Sequence, residues 1–367
     1  MTAKTVKAPE FNPGELEIIS EIPGRFGRPG TPLYNFPMTP REAMTSLYNK
    51  VPVWQPVGFE TKVFTPKLLP DNVARAFVFE DEPFDFADAT GGPDMFGIEW
   101  EYVPSAFGSI VHPGNPLLSD ANEWRDKIVM PDIDSWDWEG SAERNNATYL
   151  KGDLFNACWF QTGFFERLIT FMDFEGALMA LVDEDQKDAV HALFDKITDV
   201  YVKIFDKFIT HFPKIDAFVI HDDWGSQKET FFSPAVAAEM IVPYMRKVTD
   251  YIHSRGRFCD FHSCGQITRQ VPNMIAAGWD SWVGQDMNDT QSAYEMYGDK
   301  IILGVIPDLY DPAAKTEEEQ RAAAKAYADK YCDPKKPSIL NYAGAPLLTP
   351  VYREELYKRS RQNYSRT

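Results

Sequence analysis

The sequence lacks several features that would place it in other classes of protein. Its four cysteines, Cys158, Cys259, Cys264 and Cys332, are too few and too scattered for a disulfide framework. No run approaches the roughly 18 apolar residues that a membrane span needs, and the first ten residues contain no signal-peptide hydrophobic segment. We therefore expect a protein of the reducing cytoplasm.

Positive charge is also scarce. Lys and Arg total 37 against 55 Asp and Glu, which gives a formal net charge of -18. An acidic surface disfavours nucleic acids and anionic membranes as partners. The sequence also has no glycine-rich phosphate-binding motif and no nucleophile elbow.

The second half of the chain alternates between apolar strands and amphipathic helices. Five strands that are each followed by a helix imply parallel pairing through right-handed crossovers. With candidate strands at 51–57 and 149–155 upstream, we predict the fold class α/β, a (β/α)8 TIM barrel. The five predicted strands are 214–221, 258–264, 280–284, 300–306 and 338–342.

The first third of the chain is rich in proline, glycine and aspartate. We predict an extended N-terminal arm over 1–40, which wraps the domain or a second copy of the chain in a homodimer. A single barrel domain is expected over 41–367, with an insertion over about 65–135 that caps its mouth. Within it, we expect the acidic residues of the strand 95–103 at an exposed edge rather than in a pocket.

Helices are predicted between these strands. A helical block runs from 161 to about 212, and its long final helix starts at Asp183. A second helix is expected over 233–256, with a kink at Pro243.

The stretch 258–265 carries the first chemical signal. Side chains alternate along a strand, so Asp260, His262 and Cys264 are expected on one face. His-x-Cys suits a borderline-soft ion such as zinc. A buried cysteine beside a hydrogen-bonded histidine in the core remains an equal alternative at this point.

The strand 214–221 gives the second signal, because it ends in His221, Asp222 and Asp223. Charges at the end of an apolar strand are costly unless they serve a purpose; capping the next helix is the alternative role. In a (β/α)8 barrel the chemistry lies at the C-terminal strand ends. The later strand ends carry Gln285, Asp286, Asp308, Asn341 and Tyr342.

These motifs resemble a known superfamily. His-Asp-Asp-Trp-Gly-Ser-Gln from 221, Ser-Pro at 233, Pro-Tyr at 243 and His-Ser-Cys-Gly from 262 resemble the uroporphyrinogen-decarboxylase-like superfamily. The resemblance runs from about residue 40 to the C-terminus. It implies either porphyrinogen decarboxylation or methyl transfer to or from a corrinoid protein.

The decarboxylases carry paired arginines after the first strand, in a pattern like Met-Arg-Gln-Ala-Gly-Arg. Residues 53–60 of this chain read Val-Trp-Gln-Pro-Val-Gly-Phe-Glu, without an arginine. A substrate with many carboxylates would meet little positive charge there. Methyl transfer is therefore the preferred interpretation, and decarboxylation stays as an alternative.

Zinc-dependent corrinoid methyltransferases of the superfamily use His-x-Cys and a later Cys in the last-strand loop. His262 and Cys264 match the first pair, but the loop 341–346 contains no cysteine. The resemblance then implies that an oxygen ligand such as Asp223 or Asp286 completes the site, or that no metal is used. Loss of the thiolate suits an oxygen-bound methyl donor.

The chain is most similar to the substrate-specific (component I) methyltransferases of anaerobic aryl-ether O-demethylase systems. The similarity implies transfer of a methyl group from a methoxylated aromatic to Co(I) of a separate corrinoid (cobalamin) protein. Zinc is the second cofactor if the metal site is kept, and a site without metal stays the alternative. Methylamine, methanol and thiol donors, and a barrel that binds without turnover, stay open. The predicted site comprises the catalytic residues His221, Asp223 and Tyr342; the substrate contacts Asp222, Trp224, Gln227, Gln285 and Asn341; and the metal ligands His262, Cys264 and Asp286.

Overall fold

The computed structural model describes residues 9–22, 30–82, 84, 90–106, 108–341 and 347–365. The chain divides into two compact units. Unit 1 comprises Met1–Lys62, Asp153–Phe155 and Ser281–Thr367, and unit 2 comprises Val63–Gly152 and Asn156–Asp280. None of the helices in the described ranges has the length and apolar character that crossing a membrane requires.

The described strands are β1 (Ile18–Ile22), β2 (Thr31–Tyr34), β3 (Thr61–Phe64), β4 (Gly91–Pro93), β5 (Glu99–Val103), β6 (Gly108–Val111), β7 (Phe155–Phe160), β8 (Ala217–His221), β9 (Phe258–His262), β10 (Ser281–Trp282), β11 (Ile302–Val305) and β12 (Ser338–Leu340). The α-helices are α1 (Pro40–Tyr48), α2 (Pro70–Ala74), α3 (Trp124–Lys127), α4 (Trp138–Ala147), α5 (Phe164–Ala180), α6 (Lys187–His211), α7 (Pro234–Met240), α8 (Val242–Ser254), α9 (Val271–Ala276), α10 (Thr290–Tyr297), α11 (Glu317–Tyr331) and α12 (Pro350–Tyr364).

Seven strands share one sheet in the order β12-β11-β10-β9-β8-β7-β3. The pairs β7–β8, β8–β9, β10–β11 and β11–β12 are parallel, with helices between successive strands. The predicted α/β class is therefore confirmed, and the arrangement is compatible with a TIM-type barrel. All five strands predicted in the second half of the chain are present, each shorter than predicted.

The two strands predicted upstream differ from the structure. Residues 51–57 form no strand, because Pro52 and Pro56 have no N–H to donate to a ladder. Pro56 contributes a single backbone contact, in which its carbonyl accepts the N–H of Leu340 at 3.1 Å. The strand predicted at 149–155 is wrong by about five residues, since β7 begins at Phe155 after a turn in which Gly152 has a φ of 101°.

In unit 1 the N-terminal residues have more regular structure than the sequence predicts. β1 and β2 pair in an antiparallel ladder within the predicted arm. Glu15, which lies just before them, accepts a hydrogen bond from Nε of the fully buried Arg361 on α12 at 2.8 Å. A buried ion pair of this kind holds the segment firmly, because separating it would leave a charge without a partner.

In unit 2 the strands show the two burial patterns that the sequence predicts. Every residue of β8 is buried, as expected for a parallel strand covered on both faces. Along β9 the burial alternates, so that Cys259 and Phe261 are buried while Asp260 and His262 are half-buried. The predicted division of β9 into two faces is confirmed.

The segment predicted as an insertion contains a three-stranded antiparallel sheet, β4-β5-β6, in unit 2. β5 is the central strand of this sheet, so its acidic residues do not lie at a sheet edge. Glu99 and Glu101 are exposed and Trp100 between them is buried, so the acidic side chains lie outside the pocket, as the sequence predicts. Below this sheet, Arg167 of α5 is fully buried and forms ion pairs with Asp71 and Asp94. These ion pairs hold the insertion against α5.

The helical block consists of α5 and α6. α6 begins at Lys187 rather than at Asp183, because the Asp183 carboxylate accepts the N–H of Asp185 in a turn that precedes the helix. The second predicted helix is divided into α7 and α8 at Ile241, whose φ is -119°. The expected interruption next to Pro243 is confirmed.

Candidate functional site

The carboxyl ends of β8 and β9 place the two predicted histidines side by side. His221 and His262 are register partners in the parallel ladder, and their ring centroids are 5.2 Å apart. The loops after the two strands also lie together, since a Cβ on Gly265 would lie 2.2 Å from the carbonyl oxygen of Gly225. Gly265 has a φ of 89°, which a residue with a side chain rarely adopts. Glycine is therefore required where the chain turns after Cys264.

His221 and Asp223 form a hydrogen-bonded ion pair. The Nε2 atom of His221 lies 2.9 Å from Oδ1 of Asp223, and Nδ1 lies 3.1 Å from the carbonyl oxygen of Gln161. Burial lowers the pKa of His221, but the nearby Glu166 carboxylate and the bond to Asp223 outweigh burial and raise it to about 10. Burial alone would raise the pKa of Asp223, but the hydrogen bonds from His221 and the Cys264 N–H hold it well below its usual value.

His262 has the opposite character. Burial and the neighbouring charge of His221 lower the pKa of His262 to about 4, which leaves a neutral imidazole at neutral pH. Its Nε2 atom lies 4.0 Å from Sγ of Cys264, and its ring packs at 4.9 Å against Trp159 of β7. One ligand atom from each of His221, His262 and Cys264 lies within 4.8 Å of the others.

Two residues that sequence reasoning missed complete this cluster. Arg75, which follows α2, forms an ion pair with Glu166 in the first turn of α5. The Nη2 atom of Arg75 also lies 3.2 Å from Nδ1 of His221. Arg75 and Glu166 are therefore in position to tune the charge of His221 and to hold its ring.

The sequence predicts that Asp222 binds substrate, but in the structure its carboxylate is hydrogen-bonded to the start of α5. Its carboxylate is fully buried and accepts the N–H groups of Phe165 and Glu166 at 3.2 and 2.8 Å. Burial raises the pKa of Asp222 to about 7. A Cβ on Gly163 would lie 2.4 Å from the Cβ of Asp222, so only glycine allows α5 to begin so close to β8. Asp222 therefore fixes the start of α5.

Trp224 is also removed from the open part of the site. Its side chain is fully buried and packs on Phe261, with ring centroids 4.7 Å apart, while its Nε1–H donates to Asp222 at 3.0 Å. The chain turns after His221 and directs Trp224 into the core. The predicted contact of Trp224 with substrate stays a prediction.

A cavity of about 340 Å³ borders Asp223, Glu166 and Arg75. Trp100 closes one side, and the guanidinium of Arg75 lies 4.8 Å above its ring. A volume of this order suits a small organic ligand. The residues lining the cavity are Arg75, Trp100, Ser109, Ile110, Val111, Pro113, Glu166, Ile169, Thr170, Asp173, Phe174 and Asp223.

The remaining predicted site residues lie on the loop after β8, in unit 1 or outside the described residues. Gln227 is exposed on the loop after β8. Gln285 and Asp286 are exposed in unit 1, and the side-chain amide of Asn341 donates to the carbonyl of Gly284 at 2.5 Å. Tyr342 falls outside the described residues. The roles of these residues stay predictions, and the His/Cys/Asp/Glu clusters found in the described ranges do not include Asp286.

The missed residues had weak signals in the sequence. When β7 is placed at 155–160, Trp159 and Gln161 lie at its carboxyl end, just as His221 lies at the carboxyl end of β8. This position would have marked them as candidate site residues. Glu166 is an acidic residue in the first turn of a helix that begins after Gly163, which is a recognisable pattern. Arg75 lies in the insertion, where no periodicity indicates which side chains turn inward.

The ligand types at the site fit a metal ion. Two imidazoles and one thiol suit Zn²⁺, and catalytic zinc sites commonly use three protein ligands. The bond between His221 and Asp223 is the kind of outer-sphere contact that orients a histidine ligand.

Comparison with known families decides the identity at the family level. Residues 160–352, more than half of the chain, match the family model described as uroporphyrinogen decarboxylase (URO-D). The chain belongs to the URO-D family. Its members are enzymes, and both decarboxylases and corrinoid methyltransferases are compatible with the match. No curated protein matches the sequence.

Solved structures add little to this assignment. Xylanase B from Clostridium stercorarium F9 is 10% identical and aligns over 56% of this chain and 72% of its own, with a TM-score of 0.33. A D-psicose 3-epimerase is 10% identical over 67% and 86% of the two chains, with a TM-score of 0.31. The alfa-galactosidase MEL1 from Saccharomyces cerevisiae is 12% identical over 63% and 50%, with a TM-score of 0.28. Similarities this low carry no argument about function.

Proposed function

We propose that this URO-D family member transfers a methyl group from a methoxylated aromatic compound to Co(I) of a separate corrinoid protein, releasing the phenol. The observation that carries the proposal is the cluster of His221, His262 and Cys264, which is hydrogen-bonded to Asp223. Asp223 in turn lines a cavity with partly apolar and aromatic walls. In the (β/α)8 barrel that the sequence predicts, these strand ends stand at the mouth.

The charge of the cavity favours this activity over decarboxylation. Arg75 is the one cationic side chain among the described residues that line it, and Arg75 is already paired with Glu166. A porphyrinogen carries many carboxylates, which would meet Glu166, Asp173 and Asp223 without compensating cations. A neutral methoxylated ring needs no cation in the cavity in order to bind.

The ether oxygen must be stabilised as the methyl group leaves, because phenolate is a poor leaving group. A zinc ion held by His221, His262 and Cys264 would act as a Lewis acid on that oxygen. Asp223 accepts the N–H of the His221 imidazole and so fixes the orientation of its ring. Zinc binding at His221 would have to release a proton, because the pKa of His221 in the metal-free site is about 10. The neutral state of His262 leaves a nitrogen lone pair available for coordination.

Substrate positioning falls to the walls of the cavity. Trp100 and Ile110 belong to the β5–β6 part of the insertion, whereas Ile169 and Phe174 belong to α5. An aromatic ring bound between these two elements would be held close to Asp223. Holding the methyl group in line with the incoming cobalt is the main contribution that such a pocket makes.

An assay of products separates the two family activities. The chain is purified without oxygen, its zinc content is measured, and it is mixed with methoxyarenes and a Co(I) corrinoid protein. We expect methyl-Co(III) and the free phenol in equal amounts, and no CO₂ from porphyrinogens. Release of CO₂ from a porphyrinogen, with no methyl-Co(III) from any methoxyarene, would refute the proposal.

A further inference from the structure

We propose that the cavity beside Asp223 selects substrates by charge, and that Asp173 makes it prefer a ring with a positively charged substituent over one with a carboxylate. The inference rests on the proposed function, because it takes this cavity as the place where the methyl donor binds. It concerns a residue that neither the sequence motifs nor the metal cluster include.

The positive and negative charges of the ionised side chains that line the cavity do not cancel. Arg75 forms an ion pair with Glu166, and Asp223 is paired with His221 at 2.9 Å. Asp173 lines the same cavity, and within the described part of the chain no Lys, Arg or His nitrogen lies within 4.0 Å of its carboxylate. One negative charge is therefore left for a ligand to neutralise.

The carboxylate of Asp173 is held in place. Its Oδ2 atom accepts the N–H of Gly114 at 2.7 Å, which connects α5 to the segment that follows β6. Asp173 has φ 58° and ψ 172° in the middle of α5, a backbone conformation that is almost confined to glycine. Such strain persists where the surroundings over-determine it. These contacts fix the carboxylate at the edge of the cavity.

The walls near Asp173 suit a cation on an aromatic or aliphatic frame. Phe174, the next residue of α5, also lines the cavity and is 43% exposed. An ammonium group that approaches Asp173 would gain from the charge and from the face of an aromatic ring. A carboxylate in the same position would face Asp173 and find no unpaired cation among the described lining residues.

Binding of three probes of similar size tests the inference without any corrinoid protein. The probes are 4-methoxybenzylamine, 4-methoxybenzyl alcohol and 4-methoxybenzoate, titrated into the zinc-loaded full chain by calorimetry near neutral pH. We expect the amine to bind about tenfold more tightly than the benzoate, because a partly exposed charge pair contributes up to about 1 kcal/mol and a like pair opposes binding.

Variants assign the preference to one residue. Asp173→Asn keeps an oxygen that can accept the Gly114 N–H, and should reduce the ratio of amine to alcohol affinity about fivefold. Asp173→Gly removes the carboxylate and relieves the strained backbone, so it serves if the asparagine variant folds poorly. Glu175→Gln is the matched control, since Glu175 is exposed on the same helix and does not line the cavity; it should change no ratio.

The outcomes are distinct from those of the proposed function. The inference is overturned if the benzoate binds as tightly as the amine, or if both Asp173 variants keep the wild-type ratios. If methyl-Co(III) forms from neutral methoxyarenes but the amine and the benzoate bind equally tightly, the proposed function stands and this inference is refuted. Charge-selective binding that depends on Asp173, without methyl transfer to cobalt, would support the inference and refute the proposed function.

Discussion

Oδ1 of Asp223 accepts a hydrogen bond from Nε2 of His221 at 2.9 Å, although the two residues are only two positions apart in the chain. The turn after β8 brings the carboxylate back toward the imidazole at the end of the strand. The same oxygen accepts the N–H of Cys264 at 2.6 Å. Asp223 thus connects the histidine of β8 with the cysteine that follows β9.

Loss of this carboxylate should affect the reaction more than the fold. We predict that Asp223→Asn lowers the rate of methyl transfer about 10- to 100-fold, because His221 loses the negative partner that orients it. Single-turnover kinetics measure the change, and thermal melting monitors folding. Asp199→Asn, an exposed aspartate on α6, is the control and should keep the wild-type rate. A wild-type rate in Asp223→Asn would contradict the assignment.

The cluster of His221, His262 and Cys264 predicts a zinc affinity that depends on each member. His262→Ala and Cys264→Ala should each weaken zinc binding more than about a hundredfold, because a three-ligand site loses one ligand. Competition with a chromophoric chelator measures the affinity. Cys332→Ala removes a buried thiol whose Sγ contacts Gln55 and should bind zinc like the wild type. Equal affinity in all variants would place the metal elsewhere.

The buried arginine under the insertion should be essential for stability. We predict that Arg167→Met lowers the free energy of unfolding by about 3–5 kcal/mol, because Asp71 and Asp94 lose their buried partner. Urea denaturation measures the loss. Arg255→Met removes a partly exposed pair with Asp206 and should cost about 1 kcal/mol or less. Similar losses of unfolding free energy in both variants would show that burial does not increase the contribution of the Arg167 ion pairs to stability.

A pH-dependent contribution is expected from His253, whose Nε2 atom lies 2.8 Å from Oδ2 of Asp280. The hydrogen bond to Asp280 outweighs burial and raises the pKa of His253 above its ordinary value of 6.5. The folded state then holds the proton more tightly than the unfolded state. The added stability is complete below about pH 6.5 and is lost as the pH rises through the folded pKa.

The variant His253→Gln should therefore cost more stability in acid than in base. We expect a loss of roughly 0.5–1 kcal/mol at pH 5.5 and less at pH 9, since the pair is partly exposed. Urea denaturation at the two pH values gives the difference. His112→Gln, whose imidazole is exposed on the insertion, supplies the control for the loss of a histidine. A larger loss of stability at pH 9 than at pH 5.5 would contradict the raised pKa of His253 in the folded state.

The period-2 pattern of β9 and the apolar run of β8 were sufficient to place His221, His262, Cys264 and Asp223 near one another. Alternation ends where a strand ends, so the sequence could not tell that Asp222 and Trp224 turn into the core. Their positions depend on the approach of α5 at Gly163, a tertiary contact between distant parts of the chain.

Other parts of the site could not be predicted for a different reason. Arg75 lies in a part of the predicted insertion without periodicity, and Asp173 lies inside a helix whose backbone breaks at that residue. Their inward orientation follows from the buried Arg167 cluster and from the Gly114 contact, which join segments far apart in sequence. The missing strand at 51–57 shows how two prolines override an apolar composition.

The proposed transfer of a methyl group from an aryl ether to cobalt has a direct test. The direct measurement uses a methoxyarene with a ¹³C-labelled methyl group, the zinc-loaded chain and a Co(I) corrinoid protein, followed by ¹³C NMR under anaerobic conditions. We predict that the label appears on cobalt in step with the free phenol, and that His262→Ala abolishes the transfer. Label that remains on the ether while the wild-type chain is zinc-loaded and folded would contradict the account.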